Sequence, residues 1–449
     1  MAPVKRIVKR VALTLGILAF WWYALGYVGI RWGFTPIPKP PPRVRLQPLS
    51  PPIAKGDLKP DNGAYQYMNA VAILKSYHWS KEAREQVKSV AVGITSGDTN
   101  DIEQTLREVQ PALELVRNAS RASSCQMPQI NPTTDDTLGS LRELARLLIA
   151  DGKWAERKGD FARASEDYIA TVKFGADCTT GGPILHALVG DSIVSMGTQA
   201  LRAWVLQNAR STNELRIIRD KVDDIRTQAT AFAETLRYEL IDERKQLHGT
   251  AFAHAKWWWG PSESVTFRCF DAAYGDLIQN AERPFWESKS EALEKKWTTG
   301  REHVGLWAFN RPIAQILIAM MLPALEQTRT KFIRADIELQ ATGTICALKE
   351  YEIARGSPPE NLSELVPDVL PAVPIDPCDG KPMRYRREGR EWVLWSVGSD
   401  MKNDNAAWHE YKYRTANDER RGGDIYFKST EPQDDLTDYL SKNKSKQSS

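Results

Sequence analysis

Four carboxylates, Glu234, Glu239, Asp242 and Glu243, fall close together in the stretch NELRIIRDKVDDIRTQATAFAETLRYELIDERKQL. A pair of such groups is what general acid–base catalysis requires. The same stretch interleaves acids with Arg and Lys, the pattern of a solvated helix face, and we read the acids as that. Ser192 in GDSIVSMG lacks the glycine spacing of a nucleophile elbow, and no phosphate loop, dinucleotide turn or H-E-x-x-H occurs in the chain. The five cysteines and six histidines show no spacing that would hold zinc. The run KWWWG, residues 256–260, has the chemistry to stack a sugar or enter lipid headgroups, although aromatic clusters beside helices usually serve packing. The sequence therefore carries no local catalytic motif.

The elements that surround these residues begin with an uncharged run, VALTLGILAFWWYALGYVGI, from Val11 to Ile30. At about 1.5 Å per residue it reaches roughly 30 Å, the thickness of the hydrocarbon core of a bilayer. Lys5, Arg6, Lys9 and Arg10 precede it, as in a signal peptide, but Trp21, Trp22 and Tyr23 stand where cleavage needs small residues. An uncleaved anchor follows, with the lipid bilayer as a partner. Arg31, Lys39, Arg43 and Arg45 nearly balance the basic residues ahead of the span, so charge alone does not set its orientation. The apolar stretch IAQILIAMMLPAL, Ile313 to Leu325, is too short to cross and contains Pro323; it reads as a buried helix. A formal charge of +3 over 449 residues, with no basic face, excludes nucleic acid as a partner.

The expected organisation is a basic tail (1–10), a transmembrane helix (11–31), a proline-rich linker (32–60), a helical domain (61–333), an α+β module (334–430) and a disordered tail (431–449). The fold class is mainly α. The linker FTPIPKPPPRVRLQPLSPPIAKGDLKP has the composition of an extended, semi-rigid stalk. In the helical part, Leu138, Leu141, Leu144, Ala145 and Leu148 mark a buried stripe, punctuated by Gly152 and Gly159. Gly159, Phe161, Ala164, Tyr168 and Thr171 come near a tetratricopeptide repeat, but no second copy follows, which leaves an ordinary helical hairpin.

A last long helix, FIRADIELQATGTICALKEYEIARG, ends at a Gly356 cap. A short helix, ENLSELV, precedes Pro367. In AVPIDPCDGKPMRY, prolines forbid helix while Asp376 and Asp379 bond their own backbone and Gly380 turns the chain. A hairpin with Gly389 near its turn follows in PMRYRREGREWVLWSVG. The order of this helix, YEIARGSPPENLSELVPDVLPAVPIDPCDGKPMRYRREG, then WVLWSVGSDMKNDN and GGDIYF, resembles the globular part of the major, G-type pseudopilin of type II secretion. Joined to a long helical single-span chain, it also resembles a group of bacterial membrane proteins with no assigned reaction.

In the pseudopilins the loop after the last strands binds calcium. The resemblance implies that Asp400 offers a carboxylate and Val397 a backbone carbonyl, with Asp404 and Asp424 as further oxygen donors for a hard cation. This chain departs from the pattern at Met401, where the family has glycine, and in the segment between Asp404 and Asp424, which is longer. The anchor also lies far upstream of the module, so the fold is expected without assembly into a filament.

Cys346 on the long helix faces Cys378 in the aspartate–proline turn as a candidate disulfide outside the cytoplasm, with Cys125 and Cys178 as a second pair; buried thiols are the alternative. The functional expectation is a single-pass protein of the bacterial inner membrane, its bulk outside the cytoplasm. It would bind or scaffold envelope or secretion-system proteins rather than catalyse. The rivals are an envelope hydrolase without a motif and a docking module of a secretion machine.

Overall fold

The computed structural model describes residues 39–41, 44–77, 81–91, 99–131, 134–248, 263–298, 313–406 and 423–430. The basic tail, the apolar span Val11–Ile30, the KWWWG run, most of the long insertion before Asp424 and the carboxy-terminal tail lie outside them. Among the described residues no helix is long and apolar enough to cross a membrane. The fold is mainly α with one small antiparallel sheet. The helices are α1 (Gly63–Ser76), α2 (Lys81–Ala91), α3 (Thr99–Ser120), α4 (Thr137–Arg157), α5 (Phe161–Cys178), α6 (Ile184–Gln207), α7 (Thr212–Gln228), α8 (Phe232–Leu247), α9 (Glu263–Ala281), α10 (Ser290–Thr298) and α11 (Ile313–Arg355). The strands β1 (Arg384–Glu388), β2 (Glu391–Ser396) and β3 (Ile425–Lys428) follow in the order β1-β2-β3.

The chain divides into two compact units. One holds residues 50–231, 284–286 and 329–449; the other holds residues 1–49, 232–283 and 287–328.

The larger unit has two apolar clusters. The first joins α1–α6 through residues such as Tyr67, Leu113, Leu144 and Phe174. The second runs through Tyr168, Trp204 and Val222 to Ile337, Ile345 and Leu348 of α11, and on to Leu394 of β2 and Phe427 of β3. The helical body and the sheet therefore share one core rather than meeting at a linker. Polar bonds follow the same seam. Thr198 of α6 donates to Glu338 (3.3 Å) and Arg202 to Thr342 (3.3 Å). Arg219 and Arg216 of α7 donate to buried Glu350 at 2.7 and 2.9 Å. The Arg202 guanidinium lies over the Phe427 ring, 4.9 Å from its centroid.

The expected α4–α5 hairpin is present, with Asp160 capping α5 by accepting from the Arg163 N–H (3.1 Å). Gly152 does not end α4, which runs on to Arg157. A Cβ there would stand 2.7 Å from Cε1 of Tyr168, so this glycine is a notch that lets α5 approach. Pro323 likewise does not end a helix: it lies inside the 43-residue α11. A proline removes one amide bond from the ladder, and the turns on either side continue the rod. The two helices read separately from the sequence are thus one.

In the smaller unit α8 packs on α9, and the described part of the proline-rich stretch is pinned to them. Pro40 and Pro41 lie against Gly275, the Arg45 carbonyl accepts from Arg237 Nε (2.9 Å), and the Arg45 side chain pairs with Glu234 (3.0 Å). In the larger unit the same stretch continues as a strap: the Gln129 N–H donates to the Ile53 carbonyl (2.8 Å), and Lys55 pairs with Asp135 (2.9 Å). Over its described residues the stretch is pinned within each unit and is not a free stalk.

Candidate functional site

Of the residues that the sequence singled out, Cys378 and Val397 meet at one fully buried carboxylate, Asp376. Its turn is shaped locally. Asp376 Oδ1 accepts from the Cys378 N–H (2.9 Å) and Asp379 Oδ1 from the Lys381 N–H (3.1 Å), the backbone bonds that their positions imply. Gly380 takes φ +69°, and a Cβ on it would lie 2.7 Å from the Trp286 ring, so the position needs glycine twice over. Asp376 then reaches across to the end of β2. Its Oδ1 accepts from the Ser396 hydroxyl (2.7 Å), and its Oδ2 accepts from the Val397 N–H (2.9 Å) and from Arg384 of β1 (2.7 Å). Arg384 also forks onto Asp379. The negative charge is thus matched by one cation and three neutral donors, the arrangement that a buried carboxylate requires.

From this anchor the loop 397–406 leads to the acids. Gly398, Met401, Asn405 and Ala406 all adopt positive φ. Asp400 Oδ1 accepts from the Lys402 N–H (3.0 Å), and Asp424 Oδ2 from the Ala406 N–H (2.7 Å). Asn403 Oδ1 holds both the Asn405 N–H and the Trp395 indole N–H at 3.0 Å. Asp424 is buried, and among the described residues its Oδ1 has no hydrogen-bond partner. Burial pushes its carboxyl above the usual range; the Ala406 and Asp404 amides oppose this, and the Asp404 and Asp400 charges add to it.

The donors suit a hard cation in kind, and Asp424 Oδ1 has no partner among the described residues. The geometry is less favourable. Among the described residues no three His, Cys, Asp or Glu side chains come together as metal ligands do. The arrangement brings three carboxylates to one loop without closing a coordination shell.

The five cysteines are all free thiols. Cys346 and Cys378 share the second core cluster, where burial first of all pushes each up to about 12, so neither is a ready thiolate. Burial first of all raises the thiols of Cys125 and Cys178, the Asp177 charge adds to both, and Cys125 adds to it at Cys178; Asp177 itself accepts from the Tyr67 hydroxyl (2.9 Å) and from Lys173. Of the α8 acids, Glu234 is held by Arg45 and Arg237, while the charges of Glu239, Glu243 and Asp242 add to burial in raising the Tyr274 hydroxyl of α9.

The sequence reading missed the densest buried charge cluster. Arg117 of α3 donates to both oxygens of Asp167 of α5 (2.6 and 3.1 Å) and to Asp151 of α4, which also accepts from Arg163 (2.6 Å) and Gln110 (2.9 Å). Burial works against the Arg117 cation, but the bonds and charges of Asp167 and Asp151 hold it well above its ordinary range. The available signal was two aspartates beside apolar stripe positions, Asp151 after Leu148 and Asp167 next to Tyr168. An open groove of about 340 Å³ between the starts of α4 and α6 is lined by Leu138, Arg142, Leu185 and Leu188, with Asp135 on its rim already held by Lys55 and Lys75.

Compared with known protein families, with curated proteins and with solved structures, the chain matches none.

Proposed function

We propose that the protein is a membrane-anchored binding or scaffolding protein of the bacterial envelope. In it a helical body carries a pseudopilin-like terminal module as a fixed part of itself. The observation that carries this reading is the shared core from α4–α7 through α11 to the sheet. Along that seam the buried charges engage one another: Glu350 with Arg219, Glu338 with Thr198 and Arg334, and Asp376 with Arg384. Groups committed in this way give a body of fixed shape, which suits recognition better than proton transfer. The order α11, aspartate turn, β1-β2 hairpin and β3 supports the module's likeness to the type II secretion pseudopilin, and the uncharged run Val11–Ile30 supports the anchor.

Calcium at Asp424, with Asp400 and Asp404 as the neighbouring carboxylates, belongs to the same proposal. An ion there would relieve the repulsion on Asp424 and tie the loop to β3. The test of the whole reading is protease digestion of intact spheroplasts that express the tagged full-length chain. Loss of the bulk from outside supports it, and full protection overturns it. Copurification from detergent extracts then separates a scaffold for secretion components from a hydrolase, which release of an acyl or glycosyl reporter substrate would reveal.

A further inference from the structure

The smaller compact unit ends, among its described residues, in an exposed apolar stripe. On the first half of α11, Leu317, Met320, Met321 and Ala324 follow three- and four-residue spacing. Met320 is 61% exposed, Ala324 is exposed, and Leu317 and Met321 are half-buried. The stripe turns polar at Gln327, which is again exposed. A methionine this open in the middle of IAQILIAMMLPAL departs from the buried helix that the sequence suggests, and its chemistry calls for an apolar partner.

The strap identifies that partner. Pro40 and Pro41 pack against Gly275 of α9 in this same unit, while Ile30 is the last residue of the uncharged run. Ten residues reach at most about 35 Å when fully extended. The docking point on α9 is therefore held within that distance of the membrane face, which is comparable to the roughly 30 Å length of α9 itself.

We propose that the unit built from α8, α9, α10 and the first half of α11 is a lipid-interface unit, with the stripe Leu317–Met320–Ala324 seated at headgroup level on the bilayer that holds the span. This rests on the anchor proposed above and adds a second, peripheral contact to it. The partner is a phospholipid surface.

The test uses the full-length protein reconstituted into phosphatidylethanolamine–phosphatidylglycerol vesicles. Met320→Cys carries an environment-sensitive nitrobenzoxadiazole label, and Met401→Cys, on the loop after β2, carries the same label as the aqueous control. Unsubstituted protein sets the background from native thiols. The label at 320 is expected to be blue-shifted, shielded from iodide and quenched by shallow doxyl lipid at least about twofold more than the label at 401, because an interfacial helix buries its apolar face only some 5–10 Å deep. Equal iodide quenching at both positions, without doxyl quenching at 320, overturns the proposal while leaving the anchor intact. A chain that fails to float with the vesicles overturns both. Should Met320→Cys not fold, Ala324→Cys carries the same label and the same two readouts.

Discussion

Replacing Asp376 by asparagine keeps the side-chain volume and removes one charge, so it isolates what the buried carboxylate does. The asparagine oxygen can still serve two of the four donors now met by Asp376, namely the Cys378 N–H and the Ser396 hydroxyl. Its amide group then points hydrogens at the Val397 N–H and at Arg384, donors facing donors. A buried donor left unmet costs about 1–3 kcal/mol, and one partner removed from a buried ion pair costs about 3–5 kcal/mol. Arg384 keeps Asp379, which lowers the second figure. A loss of about 3 kcal/mol results, and at about 1.4 kcal/mol per decade that is roughly a hundredfold in the opening equilibrium of the β1–β2 hairpin. Amide hydrogen exchange of Trp392–Ser396 on the purified protein reads that equilibrium directly. Asp376→Ala should show a similar loss, because unmet donors and not packing dominate. Acceleration of less than about threefold in Asp376→Asn would show that the carboxylate is incidental to the hairpin.

Arg117→Leu should destabilise the larger unit by about 3–5 kcal/mol in urea denaturation, because Asp151 and Asp167 lose their common cation, whereas Arg163→Leu at the exposed edge of the cluster should cost about 1 kcal/mol or less. Gly152→Ala should cost about 1–3 kcal/mol by pressing α4 against Tyr168, and Tyr168→Phe should not rescue it, since the crowded atom is in the ring. Asp191 of α6 has a buried Oδ2 with no partner among the described residues, and burial, reinforced by Glu338, pushes its carboxyl up to about 8. A carboxyl with a folded pKa above the unfolded value of about 3.9 favours the fold while protonated, so stability should fall as pH rises from about 4 to about 8, and Asp191→Asn should flatten that slope in melting curves taken across the range. Calcium should raise the melting midpoint and chelator lower it, with Asp424→Asn abolishing the difference; an unchanged midpoint in wild type argues against a structural ion.

What the sequence made legible were features that the chain decides locally. The α4–α5 hairpin, the Asx bonds of Asp376 and Asp379, the positive φ of Gly356 and Gly389 and the β1–β2 hairpin all follow from residue type within a few positions. What stayed hidden were consequences of long-range packing. Gly152 looks like punctuation until Tyr168, from the next helix, is seen to lie over it. Pro323 looks like a stop because the bond it removes is visible in sequence and the cooperativity of the flanking turns is not. Asp376 reads as a turn residue, and nothing local tells that it also ties down Ser396, Val397 and Arg384. The loop acids were legible as oxygen donors, yet whether carboxylates separated by a long insertion converge depends on geometry that no spacing encodes.

The burial pattern of α11 bears on what the terminal module can do. From Ala335 to Glu350 nearly every position is buried, polar ones included: Glu338, Gln340, Thr342, Thr344 and Glu350. A helix with one free face would show a stripe of exposed residues every third or fourth position. Here α6 and α7 meet it through Thr198, Arg202 and Arg219, while apolar residues of the turn and the sheet join the same core. Of the polar groups inside, Glu338, Thr342 and Glu350 meet α6 and α7, so their burial follows from the presence of the helical body and would be costly without it. A module cut off at residue 334 would expose Glu338 and Glu350 beside Ile337, Ile345 and Leu348, an apolar surface with no partner. Truncation to residues 334–430 should therefore yield an aggregating or molten product, and a monodisperse fragment with dispersed amide resonances would refute the single-body reading on which the scaffolding proposal stands.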